Sequence, residues 1–593
     1  MLRDTLRTYW GFDDFLPLQR EAMTSVLEGR DSLVVLPTGG GKSLCYQAPA
    51  VELPGTAVVV SPLISLMKDQ VDALRECGVP AARFDSSLSA RHQHEVVSHF
   101  QDGELKLLYI SPERLLSERF GDVLRGGEVS FIAVDEVHCV SMWGHDFRPE
   151  YRRLGALKER FPDTALHAYT ATATRQVRED IAGTLRLESP QVLVGSFDRP
   201  NLIYRARRRE DEMEQVRRVI DAHTGESGIV YCIRRDDVDQ TAAALRGAGY
   251  SALPYHAGMA AAERKRHQNA FARGEADIIV ATVAFGMGID KSDVRCVIHV
   301  GMTKTLEHYQ QQSGRAGRDG LEAECWIFYS GSDYHTWKFL LSDGDPEVRR
   351  VQLRKLSDMY SFCCDVTCRH RALVEYFGQE FEKDDCGACD FCLGEVDCLE
   401  DSLETAQKIL SCVLRLDQRY GAGYTAGVLA GSDSERVVKN RHDRLSTHGL
   451  LDAYPARQVR NWIEQLVAQG CLRRTKRYKV LKLTGRGAEV LRGEFGVRLS
   501  QPRRPKVKKA RVQTESWEGV DPELFEHLRA LRKDLADSRG VPAYVVFSDA
   551  TLRGICRRRP RNATEFRQVH GVGDVKCRRY ARPFIEAIEE FEE

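Results

Sequence analysis

The fold of this chain is decided by one stretch, Leu33-Val34-Val35-Leu36-Pro37-Thr38-Gly39-Gly40-Gly41-Lys42-Ser43. A pattern typical of a buried strand runs into consecutive glycines, and a Lys-Ser pair opens the helical pattern that follows. Glycines let backbone N–H groups approach phosphate oxygens, the lysine reaches the β and γ phosphates, and the serine hydroxyl is a Mg²⁺ ligand. We therefore interpret this turn as a nucleotide-phosphate site made of Thr38, Gly39, Gly40, Gly41, Lys42 and Ser43.

Leu36 stands where the strict phosphate-loop pattern has its first glycine, so the alternative is a glycine-rich turn with an incidental lysine. A second element favours the nucleotide site. Residues 131–134 form another buried-strand pattern that runs directly into Asp135-Glu136-Val137-His138. This position places two carboxylates at the carboxyl edge of a sheet, where an Asp can hold Mg²⁺ and a Glu can orient or deprotonate water. Alone, the pair would fit a solvated acidic turn.

Short apolar runs recur between amphipathic stretches and predict buried parallel strands in two tandem α/β domains. The runs cover 33–36, 57–60, 107–110, 131–134 and 166–169, and then 229–232, 278–282, 297–300 and 326–329. In the second domain, Arg315 and Arg318 lie three residues apart, hence on one face if helical. Arginines from another domain can stabilise charge on a transferring phosphoryl group, whereas an isolated pair is often only a surface feature.

After residue 340 the pattern becomes helical and contains seven of the seventeen cysteines, between Cys363 and Cys398. Cys386, Cys389 and Cys392 have the spacing at which thiolates converge on a tetrahedral Zn²⁺ in a closed structural site. The spacing leaves the fourth ligand open among Cys363, Cys364, Cys368, His370 and Cys398. Reduced buried cysteines and an iron–sulfur cluster are the alternatives.

The last third of the chain predicts two further modules and a linker. Val459, Ile463, Leu466 and Val467 share a helix face that ends near Gly470, and two apolar runs then flank the basic residues 475–479, which predicts a winged helix. The tip of this wing is either a strand-separating element or a solvated turn. Residues 498–511 contain seven Lys or Arg and no acidic residue, as a linker would, and a small helical unit follows.

Composition limits the function classes. At roughly 150 residues per domain, 593 residues predict about four domains. Lys+Arg and Asp+Glu are both 86, so binding of nucleic acid must rest on local patches rather than on net charge. The start of the sequence lacks a signal-peptide pattern and no apolar run is long enough to cross a membrane, so we expect a cytoplasmic, nucleoid-associated protein without a membrane partner.

Together these motifs closely resemble those of the RecQ family of superfamily 2 DNA helicases, in its bacterial type, over nearly the whole chain. The resemblance implies that Gln19 reads adenine and that motifs I, Ia, II, III, V and VI lie at 38–43, 61–70, 135–138, 170–172, 282–290 and 311–318, with Gln311, Arg315 and Arg318 in the last. It also implies catalytic roles for Lys42, Asp135, Glu136 and His138. Val137 and Asp290 depart from the usual residues of motifs II and V.

Residues 139–150 resemble the aromatic-rich loop of this family, with Met142 in place of the usual Gln. Aromatic rings stack on unpaired bases and arginine adds phosphate or π-face contacts. The alternative for Trp143 and Phe147 is a place in the core beneath the loop. With the resemblance, the DNA-binding candidates are Trp143, His145, Phe147, Arg148 and, in the wing, Arg477.

The resemblance further implies that Cys368 is the fourth zinc ligand and that ATP, Mg²⁺ and Zn²⁺ are the cofactors. It divides the chain into motor domains at 1–200 and 201–345, a zinc-binding subdomain at 346–400, a winged helix at 401–497, a basic linker at 498–519 and a small all-α domain at 520–593, which resembles the helicase-and-RNase-D C-terminal domain. The glycine hairpin at 571–573 in that last domain is either a phosphate contact or an architectural turn.

The implied activity is ATP-dependent 3′ to 5′ movement on single-stranded DNA, with unwinding of duplex, forked or branched DNA in recombination and repair and single-strand-binding protein as a candidate partner. Two alternatives stay open at this point. One is a superfamily 2 motor on RNA, and the other is a DNA-binding regulator whose ATPase acts only as a switch.

Overall fold

The computed structural model of the chain describes residues 1–144, 146–286, 291–342, 345–475, 480–501 and 518–592. His145, Asp290, Arg477 and most of the predicted basic linker therefore lie outside the described residues. Within these ranges, no helix combines the length and the apolar character that a bilayer crossing needs.

The first motor domain is a parallel sheet between helices, with the strand order β3-β4-β2-β5-β6-β1-β7. Its strands are β1 (Ser32–Val35), β2 (Thr56–Val60), β3 (Ala81–Phe84), β4 (Leu107–Ile110), β5 (Val129–Val134), β6 (Leu166–Thr170) and β7 (Gln191–Val194). Its helices are α1 (Leu2–Thr5), α2 (Gln19–Leu27), α3 (Leu44–Glu52), α4 (Ile64–Glu76), α5 (Ala90–Gln101), α6 (Pro112–Leu115), α7 (Glu118–Arg125), α8 (Pro149–Arg152), α9 (Leu157–Arg160) and α10 (Arg175–Thr184). Separate apolar cores cover the two faces of the sheet.

The second motor domain repeats this architecture with the strand order β10-β11-β9-β12-β13-β8, again parallel throughout. Its strands are β8 (Leu202–Arg208), β9 (Ser227–Cys232), β10 (Ala252–Tyr255), β11 (Ile278–Ala281), β12 (Val294–Val300) and β13 (Ala323–Tyr329). Its helices are α11 (Glu212–Ala222), α12 (Arg235–Gly247), α13 (Ala261–Ala272), α14 (Leu306–Ser313) and α15 (Gly331–Leu340). The prediction of two tandem α/β domains is confirmed.

The cysteine-rich region packs as an extension of the second motor domain. It contains α16 (Pro346–Cys364) and α17 (Arg369–Tyr376), whose apolar residues share one core with strands β8, β9 and β13. Because the two regions have a common core, damage to the cysteine cluster is expected to reach the motor sheet as well.

The winged helix has its own core around Trp462, which is fully buried and donates its Nε1–H to the Ser500 carbonyl at 2.8 Å. Its elements are α18 (Ser402–Arg415), α19 (Ala422–Leu429), α20 (Glu435–Lys439), α21 (Ala456–Ala468), β15 (Leu472–Arg474), β16 (Leu481–Leu483) and α22 (Gly485–Arg492). Gly470 has φ 72° just after α21, which is the left-handed backbone that ends a helix. Short strands β14 (Asp397–Cys398) and β17 (Ser500–Gln501) pair where the chain enters and leaves this domain.

The all-α domain packs five helices around a separate core and docks on both motor domains. They are α23 (Pro522–Arg539), α24 (Ala543–Val546), α25 (Asp549–Arg558), α26 (Ala563–Arg567) and α27 (Asp574–Glu592), counted within residues 518–592. On the first motor domain, buried Glu76 accepts from Arg539 at 2.7 Å, Arg579 at 2.6 Å and the Tyr580 hydroxyl at 3.1 Å.

On the second motor domain, the docked domain makes ion pairs between Arg273 and Asp537 at 3.2 Å and between Arg553 and Asp319 at 3.5 Å. One small helical domain thus contacts both halves of the motor.

The glycine hairpin of the all-α domain also packs on the protein. The Gly571 N–H donates to the Gly11 carbonyl at 2.9 Å, the Phe12 and His570 rings lie 5.1 Å apart, and Arg567 donates to the Arg7 carbonyl at 2.8 Å. A Cβ at Gly11 would lie 2.4 Å from the backbone of Val572, so only glycine permits this approach. The structure thus favours the architectural reading of the hairpin.

Candidate functional site

The glycine-rich turn after β1 is shaped by its own backbone and by Gln19. Gly39 has φ 87° and Gly41 has φ 68°, both in the left-handed region that glycine adopts without strain. Buried Gln19 donates its side-chain N–H to the Gly41 carbonyl at 3.2 Å, and a Cβ at Gly41 would lie 2.2 Å from that nitrogen. Gln19 is therefore held against the turn.

Lys42 projects from this turn towards the two carboxylates that follow β5. Its ammonium donates to the Leu36 carbonyl at 3.3 Å. Burial lowers the pKa of Lys42, and the charges of Glu136 and Asp135 oppose that shift. A buried ammonium in a glycine-rich turn is suited to a polyphosphate, which would add negative charge beside it.

Asp135 and Glu136 begin where β5 ends, and the Asp135 N–H donates to the Val60 carbonyl of β2 at 2.9 Å. Glu136 has the left-handed angles φ 48° and ψ 42°, an uncommon conformation for a residue with a side chain. His138 contacts the Glu136 carboxylate at 3.3 Å and the Thr170 hydroxyl, at the end of β6, at 2.9 Å. His138 thereby links motif II to motif III.

The two carboxylates differ in their proton affinity. Burial and the neighbouring Glu136 raise the pKa of Asp135 to about 7. Burial would also raise the pKa of Glu136, but the hydrogen bond and charge of His138, followed by the charge of Lys42, hold it at about 2. Burial would lower the pKa of His138, but Cys139 and Glu136 raise it well above its usual value. For Asp135, burial and the Glu136 charge thus outweigh the opposing charge of Lys42, whereas Glu136 is held in its ionised form.

The arginines of the second motor domain face this site from a turn rather than from a helix. Arg315 and Arg318 would share one face only if they were helical, and this condition is not met, because α14 ends at Ser313 and Gly317 has φ 55°. Arg315 is buried, its charge interacts with Tyr231 and Glu136, and its Nε has no hydrogen-bond partner among the described residues. A buried guanidinium N–H of this kind fits an anionic ligand in the cleft.

Arg318 reaches the phosphate loop itself. Its Cγ would lie 3.7 Å from a Cβ placed on Gly39, and its charge acts on Lys42. Thr38 likewise lies 3.2 Å from the position of a Cβ on Gly314. Residues from both motor domains thus meet at one cleft. The third motif VI candidate, Gln311, is half-buried on α14.

The aromatic-rich loop lies between the two motor domains. Trp143 is 40% exposed, which rules out the core alternative for this side chain, and Phe147 is half-buried. Arg148 pairs with Asp146 at 3.1 Å and donates to the Pro62 carbonyl of motif Ia at 3.3 Å. From the second motor domain, Lys304 feels the charge of Asp146, which raises the pKa of Lys304 against the larger lowering by burial. The loop therefore touches the elements that flank the cleft.

The cysteine cluster consists of four sulfur atoms that lie within 4.8 Å of one another, those of Cys368, Cys386, Cys389 and Cys392. Cys368 caps α17 and its sulfur accepts from the Arg371 N–H at 3.5 Å. The Cys386 sulfur accepts from the Ala388 N–H at 3.3 Å, and the Cys389 sulfur accepts from the Cys392 N–H at 3.4 Å. Converging sulfurs with backbone N–H donors fit a tetrahedral Zn²⁺ bound by thiolates.

Some residues at the cleft were not found from the sequence. Arg199, in the segment between the two motor domains, donates to the Thr38 carbonyl at 2.7 Å and to the Gly317 carbonyl at 3.0 Å. Tyr231, whose hydroxyl donates to the Phe285 carbonyl at 2.8 Å, lies beside Arg315. Neither belongs to a spacing pattern that predicts chemistry.

Five family models match consecutive parts of the chain, and the first two, both helicase models, define the class of protein. They are "DEAD/DEAH box helicase" at 16–181, "Helicase conserved C-terminal domain" at 211–320, "RecQ zinc-binding" at 331–393, "RQC domain" at 398–508 and "HRDC domain" at 521–588. Two parallel-sheet domains that bring a phosphate loop, a carboxylate pair and two arginines to one cleft thus define a helicase-type motor.

Full-length relatives narrow this class. The chain is 41% identical to "ATP-dependent DNA helicase RecQ" of Pasteurella multocida, over 99% of this chain and 93% of that one. It is 41% identical to the protein of the same name from Haemophilus influenzae, over 99% and 95%, and 39% identical to that of Bacillus subtilis, over 99% and 98%. The chain belongs to the RecQ family.

Proposed function

We propose that this chain is an ATP-dependent DNA helicase that moves 3′ to 5′ on single-stranded DNA and unwinds duplex or branched DNA in recombination and repair. The observation that carries the proposal is the meeting of Lys42, the Asp135–Glu136 pair and Arg315 at one cleft between the motor domains. The polarity and the pathway rest on family membership.

In this proposal, ATP binds with its phosphates on the turn from Thr38 to Ser43, and Gln19 contacts the adenine. Ser43 and Asp135 would hold Mg²⁺, which supplies neutralisation of the phosphate charge when bound. His138 and Lys42 hold Glu136 in its ionised form, so its carboxylate would orient the attacking water or accept a proton from it. Arg315 and Arg318 stabilise the negative charge of the transferring phosphoryl group.

Movement would follow from closure of the cleft. The arginines reach the phosphates only when the motor domains are together, so ATP binding favours the closed state and hydrolysis releases it. His138 contacts both Glu136 and Thr170, and this contact supports a role for it in passing the state of the nucleotide to motif III.

DNA would be held mainly through phosphate contacts and base stacking, with steep salt dependence and little sequence preference. Trp143, Phe147 and Arg148 are the candidate contacts on the aromatic-rich loop, together with His145, and Arg477 is the candidate in the wing. The exposure of Trp143 supports this assignment. Forked or branched DNA as the preferred substrate, single-strand-binding protein as a partner and a cytoplasmic, nucleoid-associated location are parts of the same proposal.

The zinc site, the winged helix and the helical domain would have the roles and bounds that the sequence predicts. Zn²⁺ bound by the four cysteines would have a structural role, because a site closed by four sulfurs leaves no open position for a substrate. Separate apolar cores support a winged helix at 401–497 and a helical domain at 520–593, and the linker at 498–519 would connect them. The motor domains would span 1–200 and 201–345, and the zinc-binding subdomain 346–400.

The test is ATP-driven strand separation on matched duplexes with a 3′ or a 5′ single-stranded tail, for the natural chain and Lys42→Ala. We expect opening of the 3′-tailed duplex alone and its loss in the variant, because removal of the ammonium leaves the phosphates without their central cation.

Other outcomes discriminate among the alternatives. DNA-stimulated ATP hydrolysis without strand separation would indicate a switch rather than a helicase. Equal opening of matched RNA duplexes would indicate a motor that does not select DNA.

A further inference from the structure

The segment that joins the two motor domains, residues 195–201, carries an arginine at the cleft. It runs from the end of β7 to the start of β8 and reads Gly-Ser-Phe-Asp-Arg-Pro-Asn. Pro200 follows Arg199, and a residue before proline favours an extended backbone over a helical one. A rigid joint of this kind is suited to holding a side chain in one direction.

The Arg199 guanidinium donates to four backbone carbonyl groups on two different loops. One nitrogen donates to Thr38 of the phosphate loop at 2.7 Å and to Gly314 at 3.5 Å. The other donates to Ala316 at 3.3 Å and to Gly317 at 3.0 Å. Thr38 belongs to the first motor domain and the other three acceptors to the turn that carries Arg315 and Arg318, so a single side chain bridges the cleft.

The joining segment is anchored on its opposite side by the zinc-binding subdomain. The Phe197 ring stacks on Phe377 with centroids 4.3 Å apart. The Gln379 side chain accepts a hydrogen bond from the Phe197 N–H at 2.9 Å and donates one to the Gly195 carbonyl at 2.9 Å. Asp198 accepts from His370 at 2.6 Å. Because these contacts fix the backbone around Arg199, the guanidinium has little freedom to move with either loop alone.

We propose that Arg199 is a positioning residue for ATP hydrolysis, which holds the turn of Arg315 and Arg318 against the phosphate loop when the cleft is closed. This inference rests on the proposed ATPase function. The Arg199 guanidinium donates to four backbone carbonyl groups, three of them in the turn of Arg315 and Arg318, so its effect passes through the orientation of those two arginines. A displacement of such groups by about 1 Å costs on the order of 100-fold in rate.

The experiment compares DNA-stimulated ATP hydrolysis by the full chain with that of Arg199→Ala, Arg199→Lys and Lys42→Ala. For Arg199→Ala we expect kcat to fall by about 100-fold while KM for ATP changes by less than about threefold, because the phosphate loop still binds nucleotide. Lysine cannot bridge two loops with one fork, so Arg199→Lys should lose nearly as much. Guanidinium chloride at millimolar concentration should restore part of the kcat of Arg199→Ala, and the same concentration of sodium chloride should not.

The matched control is Asn201→Ala. Asn201 donates to the Gly317 carbonyl at 2.9 Å and to Leu321 at 2.8 Å, so it holds the same turn but does not reach the phosphate loop. We expect its kcat to stay within about fivefold of the natural chain, with no effect of guanidinium. Thermal unfolding and zinc content verify that each variant is folded.

The inference is overturned if kcat of Arg199→Ala stays within about threefold of the natural chain, if the loss is confined to KM, or if Asn201→Ala loses as much. If the natural chain itself shows no DNA-stimulated hydrolysis above Lys42→Ala, the proposed function fails first, and the inference fails with it.

Discussion

The nucleotide cleft and the four-cysteine cluster are both polar sites inside the protein, but they are assembled in opposite ways. The cleft brings together residues from Gln19 to Arg318, from two sheets, whereas the cluster uses only residues between Cys368 and Cys392. In the cleft, the Arg315 Nε has no partner among the described residues, while sulfurs of the cluster accept backbone N–H groups.

This difference in assembly suggests that the cleft serves activity and the cysteine cluster serves stability. Polar groups left without partners cost stability, and they are retained where a ligand will use them. A closed sulfur site instead stabilises the fold, because the free energy of metal binding adds to the free energy of folding. Substitutions in the cleft should therefore change rates, and substitutions in the cluster should change folding.

The largest expected effect tests the cluster. Cys386→Ala removes one of four sulfurs, and structural Zn²⁺ contributes on the order of 10–16 kcal/mol in small domains. We expect loss of bound zinc and unfolding that spreads into the second motor sheet, because the cluster and the sheet share a core. Zinc content and thermal unfolding measure this. Cys398→Ser, at an exposed cysteine outside the cluster, should leave both unchanged. Full zinc content in Cys386→Ala would contradict the assignment of the cluster as a zinc site that stabilises the fold.

The second prediction tests the cleft. Glu136→Gln keeps the shape of the side chain but removes the carboxylate that can accept a proton from the attacking water, so kcat for ATP should fall by at least about 100-fold. The thermal midpoint should stay within a few degrees of the natural chain, and ATP binding should persist, because Lys42 and the glycines are untouched. Steady-state hydrolysis, nucleotide titration and calorimetry separate these readouts. A large fall in stability with little loss of rate would reverse the assignment.

The smallest expected effect is on the free energy of unfolding and concerns His223, which lies in neither the cleft nor the cluster. Burial would lower the pKa of His223, but Glu226 at 2.7 Å and Glu324 raise it to about 9. Because the folded pKa lies above the unfolded value of about 6.5, the stabilisation is fully present below pH 6.5 and is lost as the pH rises towards 9. It amounts to about 3 kcal/mol at most.

His223→Gln should therefore lower the thermal midpoint at pH 6 more than at pH 9.5, while kcat at neutral pH stays within about twofold. An equal shift of the midpoint at both pH values would show that the His223 charge does not contribute.

The central strands of both sheets could be predicted because they are buried on both faces and read as continuous apolar runs. The strands not predicted are β3, β7, β8 and β10, which form the four edges of the two sheets. Edge strands carry polar residues or proline, such as Pro254 in β10 and the arginines that end β8, so periodicity does not reveal them.

The site shows a similar limit. Motif residues such as Lys42 and Glu136 could be located because the glycines and the preceding strand fix where their side chains point. The turn that carries Arg315 and Arg318 could not, because Gly314 and Gly317 end the helix that their spacing suggested. Arg199 could not be found either, since its partners are backbone carbonyl groups and carbonyls have no signature in a sequence.

The contact of residues 7–12 with residues 567–573 bears on the order in which the domains can assemble during synthesis. The hydrogen bond from Arg567 to the Arg7 carbonyl spans 560 residues. At about 5–20 residues per second, a ribosome needs roughly half a minute to two minutes to deliver the second partner after the first. During that interval the first motor sheet can fold, but the surface around Gly11 stays open to water and to passing chaperones. Docking of the helical domain on residues 7–12 therefore comes after the first motor sheet can fold, and a chain that stalls before residue 567 would lack this contact.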